Sequence, residues 1–251
     1  MAQYSDLLLS EETLKAVERM GFTELTEIQE KAIPVMLEGR EIIAKAPTGT
    51  GKTCAFGVPI MEKIDPSALA VQAVVLCPTR ELCTQIVDEL RELAHFRPQV
   101  RVAAVYGGQQ IDRQINALKR GAQIVVATPG RMLDHMHRRT ISLSKVSIAV
   151  LDEADEMLDM GFYKDVCKIL DRLPKERQMV MFSATISREV MDIGWLYQRD
   201  TVELTVEPVK ESQPKIHQYM LESVGRQKLA DLCYILEAND FHKVMIFCNT
   251  K

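Results

Sequence analysis

Residues 46–53 read Ala46-Pro47-Thr48-Gly49-Thr50-Gly51-Lys52-Thr53, between an apolar run at 42–44 and a helix-compatible stretch from Cys54. Glycines let backbone N–H groups turn toward an anion, and the start of a helix directs its positive end to the same place. In such a loop Lys52 can reach the β- and γ-phosphates of a nucleotide, and the Thr53 hydroxyl can ligate Mg²⁺. The general pattern begins with Gly, whereas this one begins with Ala46. The stretch predicts a phosphate-binding loop; the alternative is a Gly-rich turn with a surface lysine.

A second stretch lies about a hundred residues further on. The apolar run 147–151 suits a strand buried on both faces, and it ends in Asp152-Glu153-Ala154-Asp155. An acid at the tip of such a strand can hold Mg²⁺, and the next acid can orient or deprotonate an attacking water. Alone, the acids would be explained by a helix start. Together with the upstream loop they predict a catalytic set of Lys52, Asp152 and Glu153, with Thr53 and Asp152 as metal ligands.

These two stretches resemble the amino-terminal core of a bacterial DEAD-box ATP-dependent RNA helicase, and further stretches match that family in the same order. Gly21-Phe22 with 26–29 resembles its adenine-reading Q motif, and Ser183-Ala184-Thr185 resembles the motif that couples ATP to unwinding. The stretch 244–249 resembles the first motif of the second core domain. The resemblance covers essentially the whole chain, and it implies ATP and Mg²⁺ as ligands.

The family resemblance also implies which residues bind the nucleotide. They are Tyr4, Phe22, Gln29, Pro47, Thr48, Gly49, Thr50, Gly51, Lys52 and Thr53. Gln29 would pair with adenine, since an amide offers a donor and an acceptor; otherwise it is a polar helix residue. The family usually has Pro where Leu25 stands, and Phe where Tyr4 stands. Tyr4 keeps the aromatic ring and is therefore expected to stack on the purine.

The implied RNA contacts are to the backbone and independent of sequence. The residues are Thr79, Arg80, Gly107, Gly108, Thr128, Pro129, Gly130 and Arg131. Coupling is assigned to Asp155, Ser183 and Thr185, with Asp155 expected to hydrogen-bond one of the other two. His135 and His137 flank Met136 and are interpreted as surface histidines.

Composition limits the classes of protein to which the chain can belong. With 251 residues and 47% hydrophobic residues, it is long enough for one large domain with a real core. The net charge of −4 means that RNA must bind a local patch. Six cysteines without a CxxC pair argue against a metal centre or a disulfide framework. No apolar run reaches the length of a membrane span and no signal peptide is recognised, so a cytoplasmic protein is expected.

Short apolar runs alternate with helical patterns over the first two hundred residues. The runs are 42–44, 73–77, 102–105, 124–127, 147–151 and 179–182. This alternation predicts an α/β fold with a parallel sheet and helices on both faces, and ligands at the carboxyl ends of the strands. With the resemblance, it becomes a RecA-like P-loop NTPase domain at 1–205. Residues 206–215 read as a linker, and 216–251 as the truncated start of a second RecA-like domain, with strands near 216–224 and 243–248 around a helix at 228–238.

The sequence therefore predicts an ATP-dependent RNA helicase that couples ATP hydrolysis to local duplex unwinding. This chain is expected to bind ATP and RNA without unwinding, because family members complete the ATP site with arginines from the second domain. An ATP-gated RNA clamp or scaffold without productive unwinding fits the same motifs. A P-loop enzyme unrelated to RNA is a more distant alternative.

Overall fold

The computed structural model describes residues 2–207, 216–239 and 241–248. The chain divides into two compact units, Met1–Pro208 and Val209–Lys251. The first unit is built on a seven-stranded sheet. Its strands are β1 Ile42–Lys45, β2 Ala73–Leu76, β3 Val102–Val105, β4 Ile124–Ala127, β5 Ile148–Leu151, β6 Gln178–Ser183 and β7 Val202–Thr205.

The strands lie in the order β3-β4-β2-β5-β6-β1-β7, and each neighbouring pair is parallel. The register places Lys45 of β1 beside Ser183 of β6, and Leu76 of β2 beside Leu151 of β5. The carboxyl ends of all the strands therefore meet at one edge of the sheet, which we call the upper rim.

Helices fill the connections between strands, as parallel pairing requires. In chain order they are α1 Glu11–Arg19, α2 Glu27–Leu37, α3 Lys52–Lys63, α4 Arg80–Leu93, α5 Ile111–Lys119, α6 Pro129–His137, α7 Ala154–Asp159, α8 Tyr163–Leu170, α9 Arg188–Tyr197 and, in the second unit, α10 Lys228–Ala238. Oxygen atoms of Ser10, Thr79 and Ser187 cap the starts of α1, α4 and α9.

The sheet is buried on both faces. Ala73 and Val75 pack into one apolar cluster, with α2, α3 and α4, whereas Val74 and Leu76 pack into the other, with α6 to α9. Successive strand side chains point to opposite faces, so unbroken apolar runs are what a sheet covered on both sides needs. The predicted α/β fold with helices on both faces is confirmed.

Strand β7 was not predicted from the sequence. In β7, Val202 and Leu204 are partly buried while Glu203 and Thr205 are exposed. The strand pairs only with β1, at the end of the sheet. An edge strand needs no continuous apolar run, and its alternation over four residues is too short to stand out.

The second unit differs from the prediction. Its helix α10 is present, but the described residues of 216–224 and 243–248 lie outside any helix or strand. A strand needs a neighbour for its backbone N–H and C=O groups, and one helix cannot provide that neighbour. Val244 and Ile246 are accordingly about half exposed. The predicted linker lies mostly outside the described residues, and the assignment of a second RecA-like domain stays a prediction.

Across the described parts of the chain, none of the helices is both long enough and apolar enough to span a bilayer.

Candidate functional site

The loop between β1 and α3 has the conformation that its sequence predicts. Gly49 and Gly51 have φ of 81° and 88°, a left-handed region that glycine enters at little cost. The Thr50 hydroxyl donates to the Pro47 carbonyl at 2.8 Å and closes the loop on itself. Ala46 continues the sheet, since its N–H donates to the Ser183 carbonyl at 2.9 Å. Its φ is not positive, which explains why alanine serves where the general pattern has Gly.

The most telling contact of the upper rim is a buried ion pair between Lys52 and Glu153. The ammonium donates to Glu153 Oε1 at 2.7 Å, and the two side chains are 6% and 9% exposed. The Thr48 hydroxyl donates to the same carboxylate oxygen at 3.0 Å. The predicted phosphate-binding lysine and the predicted water-activating acid therefore hold each other, because β6 alone separates the strands that carry them.

Glu153 also has an unusual backbone. Its φ of 48° and ψ of 54° place it in the left-handed region, which is uncommon for a residue with a Cβ atom. Such a conformation costs on the order of 1–3 kcal/mol and tends to occur at functional sites. Here it turns the chain from β5 into α7 and directs the carboxylate toward the loop after β1.

Asp152 is buried immediately before Glu153. One of its oxygens, Oδ1, accepts from the Glu153 N–H at 3.1 Å, and the residue is 2% exposed. Burial raises the pKa of this carboxyl to about 7, and the Lys52 ammonium only partly opposes that effect. A buried carboxyl of this kind can bind a proton or, when ionised, a cation.

Gln29 connects the Q-like stretch to the phosphate-binding loop. Its amide nitrogen donates to the Gly51 carbonyl at 3.1 Å, and its amide oxygen accepts from the Thr26 N–H at 3.0 Å. A Cβ atom on Gly51 would lie 2.5 Å from the Gln29 amide nitrogen, so only glycine fits there. Gln29 is 4% exposed, but each end of an amide can form a second hydrogen bond.

The expectation that Tyr4 stacks on a purine is wrong in this structure. The ring is 2% exposed and packs in the core beside Cys54, and burial raises the pKa of its hydroxyl. Phe22, by contrast, is 41% exposed. Leu25 is buried, and its N–H donates to the Ala2 carbonyl at 2.9 Å, a bond that Pro could not form.

Asp155, Ser183 and Thr185 form the hydrogen bonds expected of them. Asp155 Oδ2 accepts from the Thr185 N–H at 2.7 Å and from its hydroxyl at 2.8 Å. Ser183 Oγ accepts from the Asp155 N–H at 3.1 Å. Burial alone would raise the pKa of Asp155, but these hydrogen bonds outweigh it and the pKa is lowered. The ends of β5 and β6 are thereby tied together; the coupling role itself stays a prediction.

The other half of the upper rim is an open cleft of about 570 Å³ at the ends of β2, β3 and β4. Six of the eight residues predicted to contact RNA line it, namely Thr79, Arg80, Gly107, Thr128, Gly130 and Arg131. Gly108 lies beside the cleft, since a Cβ atom there would be 3.4 Å from Arg80 Nη1. Pro129 is buried at the first position of α6, where its fixed φ favours the helix.

The two cleft arginines differ in their surroundings. The Arg80 side chain is 64% exposed and pairs with the exposed Glu81 at 2.5 Å. Arg131 is 16% exposed; its Nη1 donates to the Gln109 carbonyl at 3.0 Å and to Gln114 Oε1 at 3.2 Å. Arg80 is thus available to a ligand, while Arg131 is held by the protein.

Several residues around the cleft were not predicted. Met160 and Phe162 line its apolar side, and Asp134 adds an acid. The sequence Asp-Met-Gly-Phe at 159–162 gave only a weak signal, two apolar residues around a glycine. His135 was interpreted as a surface residue, and this is wrong. It is fully buried between Thr140 and Gln114, because it lies on the inner face of α6.

Within the described ranges, His, Cys, Asp and Glu side chains form no group of three that could hold a metal alone. The pair Thr53 and Asp152 offers a hydroxyl and a carboxylate, the oxygen donors that suit Mg²⁺ when phosphates complete its shell. The raised pKa of Asp152 agrees with this, since a buried carboxyl lacks a full countercharge. The residues present therefore fit Mg²⁺ held jointly with a nucleotide.

Comparisons with known proteins agree with the motifs. The family model described as DEAD/DEAH box helicase matches residues 26–193. The chain is 44% identical over 251 residues to the DEAD-box ATP-dependent RNA helicase CshA of Geobacillus kaustophilus and covers 54% of that protein. It is also 44% identical to the ATP-dependent RNA helicase CshA of Listeria monocytogenes, of which it covers 48%. The chain thus spans about half the length of these curated relatives.

Solved structures give the same result. A DEAD box protein from Methanococcus jannaschii superposes with a TM-score of 0.80 and 39% identity, over 94% of this chain and 64% of that one. A hypothetical ATP-dependent RNA helicase from Sulfolobus tokodaii matches with a TM-score of 0.72 and 39% identity, over 79% of this chain and 57% of that one. The first unit is therefore a RecA-like domain, and the chain belongs to the DEAD/DEAH box helicase family.

Proposed function

We propose that this chain is the ATP-Mg²⁺-binding and RNA-binding part of an ATP-dependent RNA helicase. The observation that carries the proposal is the buried pair of Lys52 and Glu153 on the same rim as the open cleft. A lysine kept from solvent by an acid is poised to exchange that acid for a phosphate. The family membership and the names of the relatives support the same conclusion.

On ATP binding, Lys52 would turn from Glu153 to the β- and γ-phosphates, while the glycine-rich backbone of 47–51 provides N–H donors. The exchange has a second effect. It frees the Glu153 carboxylate to orient or deprotonate the attacking water, so the same motion binds the phosphates and activates the base. Glu153 would keep its hydrogen bond from Thr48, which would limit how far the carboxylate moves.

Thr53 and Asp152 would hold Mg²⁺ together with the phosphates. When bound there, Mg²⁺ neutralises charge that develops on the phosphate oxygens. Asp152 must be ionised to hold Mg²⁺. The charge of Mg²⁺ would then take the place of the Lys52 ammonium, which would have turned from this carboxylate toward the phosphates.

Phe22 and Gln29 are the residues proposed to read the adenine. Phe22 is the exposed aromatic ring of this region, and Gln29 has one free donor and one free acceptor position. Because Gln29 also donates to Gly51, base recognition and the shape of the phosphate-binding loop would be linked directly.

RNA is proposed to lie along the cleft with its backbone toward the arginines. Arg80 offers an exposed charge, and Thr79, Thr128 and Gly107 offer hydroxyl or backbone N–H donors. Such contacts carry no base identity, so binding would be independent of sequence and sensitive to salt. Asp155 follows β5, the neighbour of the cleft strand β2, and accepts a hydrogen bond from Thr185, which follows β6. β6 lies between β5 and β1, the strands that carry the two nucleotide motifs. This hydrogen bond would therefore couple ATP binding to RNA binding.

We further propose that this chain binds both ligands without unwinding. Among its described residues, the second unit contains one helix and no strand, and so no second sheet. A missing arginine from such a partner domain removes roughly 10³–10⁵ in rate. A cytoplasmic location is part of the same proposal, and cell fractionation tests it.

A steady-state phosphate-release assay with and without RNA tests the proposal, alongside titrations with a fluorescent ATP analogue and a labelled RNA. We expect binding of both ligands and turnover near background. Robust RNA-stimulated turnover that is abolished by Glu153→Gln would contradict the proposal that this chain binds both ligands without appreciable turnover. Failure to bind RNA would instead favour a P-loop enzyme of another class.

The alternative of an ATP-gated RNA clamp is distinguished by a different measurement. Strand displacement of a short labelled duplex is compared with retention of single-stranded RNA under a non-hydrolysable ATP analogue. For the full-length protein, displacement supports the helicase. Long retention without displacement supports the clamp.

A further inference from the structure

A buried polar network lies directly beneath the cleft. Gln114 and His135 are 2% and 0% exposed, and neither was predicted to have a role. Gln114 stands on α5, which follows the Gly107-Gly108 turn, and His135 stands on α6, whose first turn contains Arg131. Buried polar side chains are retained only when their hydrogen bonds are satisfied, so their partners indicate what they hold in place.

The Gln114 amide makes four hydrogen bonds. Its nitrogen donates to the Tyr106 carbonyl at 2.9 Å and to Gln109 Oε1 at 3.2 Å. Its oxygen accepts from Arg131 Nη1 at 3.2 Å and from His135 Nε2 at 3.0 Å. An amide has two donors and two acceptor positions, so all its capacity is used. A single side chain thereby joins the turn after β3 to the arginine after β4.

The partners fix the orientation of the amide and the tautomer of the histidine. A guanidinium can only donate and a carbonyl can only accept, so the Gln114 oxygen faces Arg131 and its nitrogen faces Tyr106. His135 Nε2 must then carry a proton, since its partner there is the Gln114 oxygen. Nδ1 lies 2.8 Å from Thr140 Oγ1, whose hydroxyl also donates to the His135 carbonyl at 3.2 Å. Burial and the Arg131 charge lower the pKa of His135, which disfavours the charged form of the ring.

We propose that Gln114 and His135 are positioning residues that hold Arg131 and the 106–110 turn in place as one wall of the cleft before RNA arrives. This proposal rests on the proposed function in taking the cleft as the RNA site, whereas the hydrogen bonds that fix Arg131 and the 106–110 turn are independent of that function. A preorganised wall loses little side-chain entropy on binding. Arg131, which has a carbonyl and an amide as fixed partners, can still direct its remaining N–H groups toward a phosphate.

The experiment combines Arg131→Ala with Gln114→Met, which keeps the side-chain length and removes the amide. Affinity for a labelled single-stranded RNA of mixed sequence is measured by fluorescence anisotropy. We expect Arg131→Ala to weaken binding about fivefold in the parent and less than about twofold in the Gln114→Met background, since residues in one network are non-additive. His135→Gln, whose amide replaces the Nε2 donor, should restore most of the affinity that His135→Leu loses.

Gln123→Met is the matched control. Gln123 is also fully buried, and its amide bonds Arg101, Pro66 and Gln99 at the opposite edge of the sheet. We expect it to lower thermal stability as much as Gln114→Met does, while RNA affinity and the effect of Arg131→Ala stay as in the parent. Equal loss of RNA affinity in both variants would mean that Gln114 acts only through stability, and would overturn the proposal.

Hydrogen exchange without RNA separates this proposal from the proposed function. Gln114→Met should speed exchange of the 106–110 amides at least about tenfold, whereas Gln123→Met should not. Unchanged exchange overturns the positioning role, whatever RNA does. If exchange changes as expected but Arg131→Ala leaves RNA affinity unaltered, the positioning role stands and the assignment of RNA to the cleft fails.

Discussion

In the loops after β1 and β5, Lys52 and Glu153 are buried and paired with one another. At the ends of β2, β3 and β4, charged side chains surround an open cleft and one of the two arginines is exposed. Both regions consist of loops after parallel strands of a single sheet. A ligand of the first region must displace an internal partner, whereas a ligand of the second meets a surface that is already formed. Single substitutions should therefore have large effects in the first region and smaller, salt-dependent effects in the second.

The largest effect is expected from Lys52→Ala. The substitution removes the ammonium that would bind the phosphates and leaves the buried Glu153 carboxylate without its cation. Affinity for ATP should therefore fall at least tenfold, which corresponds to about 1.4 kcal/mol of binding free energy. Titration with a fluorescent ATP analogue measures this. Lys15→Ala is the control, since Lys15 is an exposed lysine paired with Glu11 on α1. Equal affinity in the Lys52 variant and the parent would remove the phosphate role of this loop.

The pH dependence of Asp152 is the next effect in size. Because its pKa is raised to about 7, the carboxyl is protonated below that pH, and affinity for Mg²⁺-ATP should fall by up to about tenfold per pH unit. The nucleotide also titrates near this pH, so Asp152→Asn serves as the control that isolates the contribution of the carboxyl. An identical pH profile in both proteins would contradict the assignment of Asp152 as a metal ligand.

The same pKa makes a separate prediction about stability. Folding raises the pKa from its ordinary 3.8, so as pH rises the unfolded state loses its proton first. The unfolding free energy of the free protein should therefore decrease between about pH 4 and pH 7. Thermal unfolding of the parent, compared with Asp152→Asn over this range, measures the difference. If the stability of the parent relative to Asp152→Asn instead increased with pH, the fold would stabilise the ionised carboxylate of Asp152 and the raised pKa would be contradicted.

On the cleft side, Arg80→Ala should weaken RNA binding a few-fold and equally for different sequences, and should reduce the salt slope by about 1. Arg91→Ala is the matched control, because Arg91 is an exposed arginine on the same helix, α4, that pairs with Asp88 away from the cleft. A loss confined to one RNA sequence would indicate base readout. A loss as large as that of Lys52→Ala for ATP would end the distinction between the two regions.

The smallest effect is expected from Gln29→Ala. The variant should narrow the preference for ATP over GTP by a few-fold, because one hydrogen bond is worth about 1 kcal/mol. Competition between ATP and GTP for the fluorescent analogue measures it. A parent protein that binds GTP as well as ATP would contradict adenine recognition.

The sheet was largely predictable because burial on both faces gives each central strand an unbroken apolar run. The loops at the upper rim were predictable for a related reason: their motifs consist of glycines and charged residues at fixed spacing. β7 was missed because an edge strand has no such run. The strands expected at 216–224 and 243–248 have the right composition, but composition cannot supply a neighbouring strand.

Predictions that depended on the surroundings of a single side chain were less successful. Tyr4 and His135 have side chains that suit either a surface or a core, and only the packing of Cys54 and Gln114 against them decides between the two. Likewise, spacing indicated that Lys52 and Glu153 share a rim, but not that they form an ion pair. Which side chains meet across the sheet depends on the order of the strands, and a local sequence pattern does not specify that order.

Under the proposed function, the ion pair of Lys52 and Glu153 would also determine which anions this loop retains. A cell contains abundant small anions, and inorganic phosphate would offer Lys52 one negative partner in exchange for another. Under the proposed function, a nucleotide would add further contacts, from its base at Gln29 and from its chain of phosphates along 47–51. The internal carboxylate would then be a competitor within the protein that a larger ligand displaces more readily, so the loop would discriminate by the extent of the ligand as well as by its charge.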